Sequence, residues 1–318
     1  MLSTRFTELV GCHIPLQQAP MGLLTPPGLA LAVARAGGVG SVSAPIGAEP
    51  RALAAQLDTW MDRSAGALAV NFITEHVDPA AVAVAGTRAR IVDFYWNTPH
   101  AKLVDAAHEG GALVNWQVGS LPDAVLAVEA GADVVSVQGR EAGGHVRGDT
   151  PLLPLLTAVL RAVDVPVLAA GGIAEPRALA AVLAAGASGA RIGTRFLATT
   201  ESGAHPEYVL ALIAAGPEST EITDGFAECP MCATLPRARV LRSAIAAVDA
   251  VDTETVGTVG DEPLPPRVGM PPHKEVHGQI HAMALYAGSG VEHVTAVRPV
   301  GEVVQELAEG AENLLRVW

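Results

Sequence analysis

Lysine is nearly absent from this chain. It occurs only at Lys102 and Lys274 in 318 residues, and the formal net charge is -13. Neutralising a phosphate backbone takes clustered Lys and Arg, so the composition argues against a nucleic-acid partner. Cysteine is scarce as well: Cys12, Cys229 and Cys232 are the full complement. Three thiols make no disulfide framework of the kind that staples small secreted domains, and a cytoplasmic setting is expected. Long hydrophobic runs are missing too. The stretch from Leu152 to Val163 is broken by Pro154 and Arg161 well before it could span a bilayer, so no membrane helix is expected. Residues Met1 to Gly11 mix Arg5 and Glu8 and lack the apolar core of a signal peptide.

What the chain does have is a regular alternation of short β-rich runs with Ala/Leu-rich helical ones. The strands are expected at Ile14–Ala19, Gly40–Ser43, Ala67–Phe72, Ile91–Tyr95, Ala112–Val118, Val134–Gln138, Val165–Ala169 and Ala190–Ile192. Helical segments lie between them, at Gly28–Ala36, Pro50–Arg63, Pro79–Ala85, Pro99–Glu109, Pro122–Ala130, Leu152–Val163 and Pro176–Ala185. Proline recurs near helix starts and glycine just past helix ends, as the unpaired groups of helix termini favour. Eight strand–helix alternations predict an α/β fold, a parallel (β/α)8 TIM barrel. The competing doubly wound sheet would carry G-x-G-x-x-G after its first strand. Gly37-Gly38-Val39-Gly40 precedes a strand and does not match that pattern.

The pattern changes after the eighth strand. Thr199 to Ala215 reads as helical, Arg237–Val251 as a further helix, and Val256 to Pro272 is rich in Pro and Gly. A long irregular segment in a compact protein is typically a lid or binding element. The expected division is a barrel from residues 1–200 plus 283–318, with a smaller lid or insertion domain over 201–282. Val300–Leu315 is the expected eighth barrel helix.

Two constellations carry chemistry. Gly171-Gly172 ends the seventh strand, and Arg191-Ile192-Gly193-Thr194 ends the eighth. In (β/α)8 barrels the loops after these two strands commonly bind phosphate through backbone N–H groups. Val137-Gln138-Gly139-Arg140-Glu141-Ala142-Gly143-Gly144-His145 is the second. It runs from a strand into a glycine loop, where backbone approaches a ligand closely, and delivers the one side chain that titrates near neutrality. Asn71, Gln117 and the Pro20-Met21 segment stand at other strand ends. Amides there offer both donors and acceptors to a flavin's pyrimidine edge.

On these residues the chain resembles the nitronate monooxygenase family, formerly called 2-nitropropane dioxygenases. The matching pieces are Gln18-Ala19-Pro20-Met21-Gly22 with Thr25-Pro26, Ala36-Gly37-Gly38-Val39-Gly40, Val70-Asn71-Phe72, the run from Gln138 to His145, Ala169-Ala170-Gly171-Gly172-Ile173, Gly193-Thr194-Arg195-Phe196 with Thr200-Glu201-Ser202, and Tyr286-Ala287-Gly288-Ser289-Gly290-Val291. The resemblance implies a barrel with noncovalent FMN, its phosphate on Gly171-Gly172 and Gly193-Thr194. It places the ring near Pro20, Met21, Asn71, Gln138 and Gly143. From their places at the strand ends, Gly144, Gln117 and Arg191 are expected as further cofactor contacts. His145 falls on the family's catalytic histidine. The implied reaction oxidises alkyl nitronates with O2 to a carbonyl compound and nitrite, with His145 as acid/base or as stabiliser of the anionic substrate. Phe94-Tyr95-Trp96-Asn97-Thr98-Pro99 replaces the family's small, glycine-bearing turn, and Asn115-Trp116-Gln117-Val118 is bulkier than its counterpart. Trp96 and Trp116, with Tyr286, are therefore expected to line the substrate side.

Other readings stay open. The same fold and cofactor could serve an NAD(P)H-dependent reductase of a quinone or an enoyl thioester, resembling the enoyl-ACP reductase II group. A barrel that binds flavin or a phosphate ligand without catalysis is a third. Cys229 and Cys232 form a C-x-x-C, and His273, His277 and His281 recur every fourth residue. Two thiolates with His273 and His277 could ligate zinc, against the plainer expectation of no metal. The oligomeric state, a homodimer included, is left open.

Overall fold

The computed structural model describes residues 2–61, 63–72, 77–95, 98–228 and 235–316. Eight parallel strands form the body: β1 (Leu16–Gln18), β2 (Gly40–Ser43), β3 (Leu68–Phe72), β4 (Ile91–Phe94), β5 (Leu113–Val118), β6 (Val134–Gln138), β8 (Val167–Ala170) and β9 (Gly189–Ile192). The two-residue β7 (Gly144–His145) interrupts the count. The sheet runs β1-β9-β8-β6-β5-β4-β3-β2, and a parallel bridge between Gln17 and Val39 joins β2 back to β1. The fold is a (β/α)8 barrel.

The outer ring comprises α2 (Pro27–Arg35), α3 (Pro50–Met61), α4 (Pro79–Gly86), α5 (Ala101–Glu109), α6 (Leu121–Glu129), α7 (Leu152–Ala162) and α8 (Pro176–Ala184). Prolines open α2, α4, α6 and α8, where a missing N–H costs nothing. Asp78 and Ser120 cap α4 and α6 through their side chains. The last helix, α12 (Val300–Arg316), packs between α8 and α2 and completes the ring as its eighth member.

Alternation along the strands sorts the side chains. Val42, Val70, Val92, Val114, Val135 and Val137 face outward into the main core against the helices. Inward positions begin with an apolar floor of Val39, Ala69, Ile91, Val134 and Leu168. Phe6 and Val10 of the N-terminal helix α1 (Arg5–Val10) plug this end of the barrel. Above the floor the interior turns polar, with Gln17, Ser41, Asp93, Asn115, Ser136 and Arg191 all buried.

A second apolar core belongs to the lid. It contains the short α9 (Thr194–Leu197), α10 (Pro206–Ile213) and α11 (Arg242–Asp249), and a three-stranded sheet of β10 (Thr220–Thr223), β11 (Ala238–Leu241) and β7. A small antiparallel sheet of β12 (Gly257–Val259), β13 (Glu262–Leu264) and β14 (Val276–Gly278) completes it. This core reaches beyond 201–282 on both sides, taking in Leu24 and Leu197 as well as Leu285, Val291 and Val294.

Several local expectations are corrected. Ala238–Leu241 is a strand, not the first turn of a helix, because it pairs on both edges, with β10 and with β7. The Pro/Gly-rich stretch holds the β12–β13 hairpin. The segment carrying His273, His277 and His281 is not helical. His273 is buried at a bridge to Ala204, His277 lies exposed on β14, and His281 sits in a 3-10 turn. The histidines are therefore not stacked along a helix as the spacing suggested; Cys229 and Cys232, the other half of the zinc alternative, lie outside the described residues. Among the described residues no helix is long and apolar enough to cross a membrane.

Candidate active site

The C-terminal ends of the barrel strands and the lid enclose one region, and most of the expected residues converge there. Past β6 the chain folds back as β7, so that His145 pairs with Ala238 and Gly144 with Arg239 of β11. The other edge of β7 is held by the barrel. Gln138 Nε2 donates to the His145 carbonyl at 2.9 Å, and the Arg147 N–H donates to Gln138 Oε1 at 3.1 Å. The side-chain amide of Gln138 thus does what a neighbouring strand's peptide group would do. The Tyr95 hydroxyl donates to the same His145 carbonyl at 2.7 Å.

The imidazole of His145 lies 5.5 Å from the ring of Tyr286, centroid to centroid. Tyr286 is itself anchored: its hydroxyl donates to the Gly269 carbonyl at 2.6 Å, and its carbonyl accepts from the Tyr208 hydroxyl. Burial pushes the His145 imidazole down from 6.5 to about 4, because a cation is poorly solvated there. The ring is neutral at pH 7.

Glycines build the opposite end of the site. Gly171 and Gly172 have φ of 116° and 71°, a backbone that side chains disfavour. Gly143 meets the lid so closely that a Cβ on it would lie 2.5 Å from the Gly288 nitrogen. The Gly288 N–H donates to Thr194 Oγ1 at 3.0 Å, and a Cβ on Gly172 would come within 3.1 Å of Ser289 Oγ. Gly143, Gly171-Gly172, Thr194 and Gly288-Ser289 thus form one backbone-lined cradle. Met21 belongs to it through Gly193, whose Cβ would touch Met21 Sδ at 3.5 Å. Ser289 was given no role by sequence reading; its Gly288-Ser289-Gly290 setting was the available signal.

Asn71 is fully buried, and neither end of its amide has a hydrogen-bond partner among the described residues. The same holds for Ser43 Oγ on the neighbouring strand. Unpaired buried polar groups are costly in isolation. Together with the glycine cradle they fit a planar, phosphate-bearing ligand such as FMN. Gln117, buried on β5, shares the inward register of Asn115.

Two expected contacts are corrected. Arg191 does not turn toward the phosphate cradle. Its guanidinium crosses the barrel interior to Asp93, with Nη1 3.0 Å from Oδ1. Gln17 Nε2 donates to the other oxygen of Asp93 at 2.7 Å, Asn115 donates to Gln17 at 3.0 Å, and Ser136 to Asn115 at 3.0 Å. Burial pushes the Asp93 carboxyl up, against the pull of Arg191 and the amides. Trp116 faces away from the mouth: it is 1% exposed in the strand–helix core and stacks on Phe94 at 4.5 Å. Its position between the inward Asn115 and Gln117 dictates this. Trp96 lies outside the described residues. Tyr95, part of the bulky turn but not singled out there, is the residue that reaches His145.

A (β/α)8 barrel with a glycine cradle at strands β8 and β9 and a half-buried histidine on a neighbouring glycine loop suits a flavin-type oxidoreductase. Comparison with known proteins narrows the class. The family model for nitronate monooxygenase matches residues 44–310. A nitronate monooxygenase of Paraburkholderia phytofirmans is 31% identical over 68% of this chain and 72% of its own length. The solved nitroalkane oxidase of Streptomyces ansochromogenes superposes with a TM-score of 0.78 at 27% identity, covering 99% of both chains. A Rhodococcus jostii protein named (3aS,4S,5R,7aS)-5-hydroxy-7a-methyl-1-oxo-octahydro-1H-indene-4-carboxyl-CoA dehydrogenase is 37% identical over 63% of this chain, and the match spans 57% of that relative's length. The chain belongs to the nitronate monooxygenase family, whose members are FMN-dependent oxidoreductases.

Proposed function

We propose that the chain oxidises alkyl nitronates and their parent nitroalkanes with O2, releasing a carbonyl compound and nitrite. The observation that carries this reading is His145, held by its own backbone against both barrel and lid, on the same loop as Gly143 of a glycine cradle suited to a flavin phosphate. Gly171, Gly172, Gly193, Thr194 and Ser289 would hold the phosphate; Pro20, Met21, Asn71, Gln117, Gly143 and Gly144 would border the ring. Bound FMN would accept electrons from the substrate and pass them to O2.

The chain's own part is positioning and proton handling. A neutral imidazole accepts a proton; an imidazolium cannot. With its titration near 4, His145 is unprotonated at neutral pH and can accept the α-proton of a neutral nitroalkane, but carries no charge to pair with a preformed anion. Toward a nitronate supplied ready-made, the neutral ring offers an N–H donor. Tyr286 packs beside the imidazole on the lid side. The test is His145→Ala in the flavin-loaded protein. Nitroalkane turnover should fall by roughly 10²–10⁴-fold with flavin retained; undiminished turnover would overturn the reading.

A second reading has its own support in the Rhodococcus relative, whose name specifies a carboxyl-CoA substrate. A coenzyme A thioester would then occupy the mouth, with NAD(P)H as the alternative electron donor. Anaerobic titration of the flavin spectrum with a nitronate, NADH, NADPH and an acyl-CoA, side by side, separates the two. Bleaching by the nitronate alone supports the first; bleaching by NAD(P)H or the thioester supports the second.

A further inference from the structure

We propose that Tyr95 is a positioning residue for His145, fixing the plane of the peptide that carries the base; this rests on the reading of His145 as a proton acceptor. The His145 carbonyl points away from β11, because the next residue along, Val146, is the one that donates to Arg237. On that open edge two donors meet one oxygen: Gln138 Nε2 at 2.9 Å and Tyr95 Oη at 2.7 Å. A carbonyl has two lone pairs. The N–H of this peptide is already held by Arg237; a second donor on the carbonyl, arriving from a different part of the barrel, limits its remaining tilt.

The two donors also come from separate parts of the barrel. Gln138 ends β6, and Tyr95 follows β4, with β5 between them. The long Tyr95 side chain, ending in a hydroxyl, reaches across the end of β5 to that carbonyl. The phenol meets His145 at its backbone carbonyl. It acts on the ring through the backbone.

Tyr95→Phe removes the hydroxyl and keeps the shape. Misplacing a reacting group by about 1 Å costs on the order of 100-fold. In the flavin-loaded enzyme, kcat for a neutral nitroalkane should fall roughly 10- to 100-fold with KM little changed. Turnover of the corresponding nitronate, which needs no proton removal, should fall much less, and flavin content and melting temperature should stay at wild-type values. An equal fall on both substrates, no fall on either, or loss of flavin or early melting would each overturn the proposal, the last by showing that the hydroxyl serves the fold. The underlying reading has its own separate failure: if His145→Ala still turns over the nitroalkane, His145 is not the base, whatever Tyr95→Phe does.

Discussion

The carboxylate of Asp93 and the guanidinium of Arg191 meet inside the barrel at 3.0 Å, with side chains 0% and 1% exposed. They form an ion pair beneath the mouth rather than at it. Breaking a buried pair by removing one partner leaves an uncompensated charge and costs about 3–5 kcal/mol. Asp93→Ala should lower the urea midpoint accordingly. The double variant Asp93→Asn with Arg191→Met should recover much of the loss, since no lone charge then remains.

The depressed imidazole of His145 sets the acid limb of activity. Because the ring titrates near 4 in the folded protein, kcat/KM for a nitroalkane should stay flat from pH 7 downward and fall only as pH approaches 4. The same shift bears on stability. The unfolded histidine titrates near 6.5, so between about 4 and 6.5 the unfolded chain binds more protons. That contribution to stability is complete above 6.5 and is lost as pH falls toward 4. A pH series of kinetics and of denaturation midpoints checks both statements.

Gly143 is held to glycine by backbone, not by a flexible neighbour. A Cβ there would sit 2.5 Å from the Gly288 nitrogen and 2.6 Å from the Ala287 carbonyl carbon. Gly143→Ala should separate the histidine loop from the lid and reduce bound flavin, read from the absorbance ratio of the purified protein. Gly301→Ala, in a helix with nothing within 4 Å of the added Cβ, is the control and should retain flavin fully.

Phe6 is 0% exposed and plugs the floor of the barrel, far along the strands from the mouth. Phe6→Ala should cost about 3–5 kcal/mol of stability while leaving turnover per folded molecule intact, measured by unfolding and by kinetics on the flavin-loaded fraction.

Trp116 packs outside the barrel against Phe94. Trp116→Phe should therefore leave KM for every substrate unchanged while lowering the melting temperature. A selective change in KM would show that the ring acts at the mouth after all.

The barrel was legible because its signals are local. Gly40–Ser43 and Val134–Gln138 emerge with the expected bounds, each being a short β-rich run closed by turn residues. The lid was less legible because its order comes from pairing at a distance. Ala238–Leu241 sits next to helix-forming sequence and becomes a strand only because β10 and β7 flank it. Tryptophans at strand ends suggested a pocket, but facing is decided by parity: one residue either side of Trp116 points inward and Trp116 does not. Arg191 misled in the opposite way. Its place at a strand end suited a phosphate, and only the structure shows an acidic partner four strands away across the interior, at β4. His145 was legible from its glycine loop; Tyr95 was not, since no spacing rule links a residue after the fourth strand to a carbonyl after the sixth.

The strand that carries His145 is stitched to the lid along one edge, through β11, and to the barrel along the other, through Gln138 and Tyr95. His145 therefore sits on the seam between the two halves. A lid that swung open as a hinged cover would have to tear one row of stitches and carry the histidine away with it. A ligand that entered past the rim would leave both rows intact and the histidine where it is.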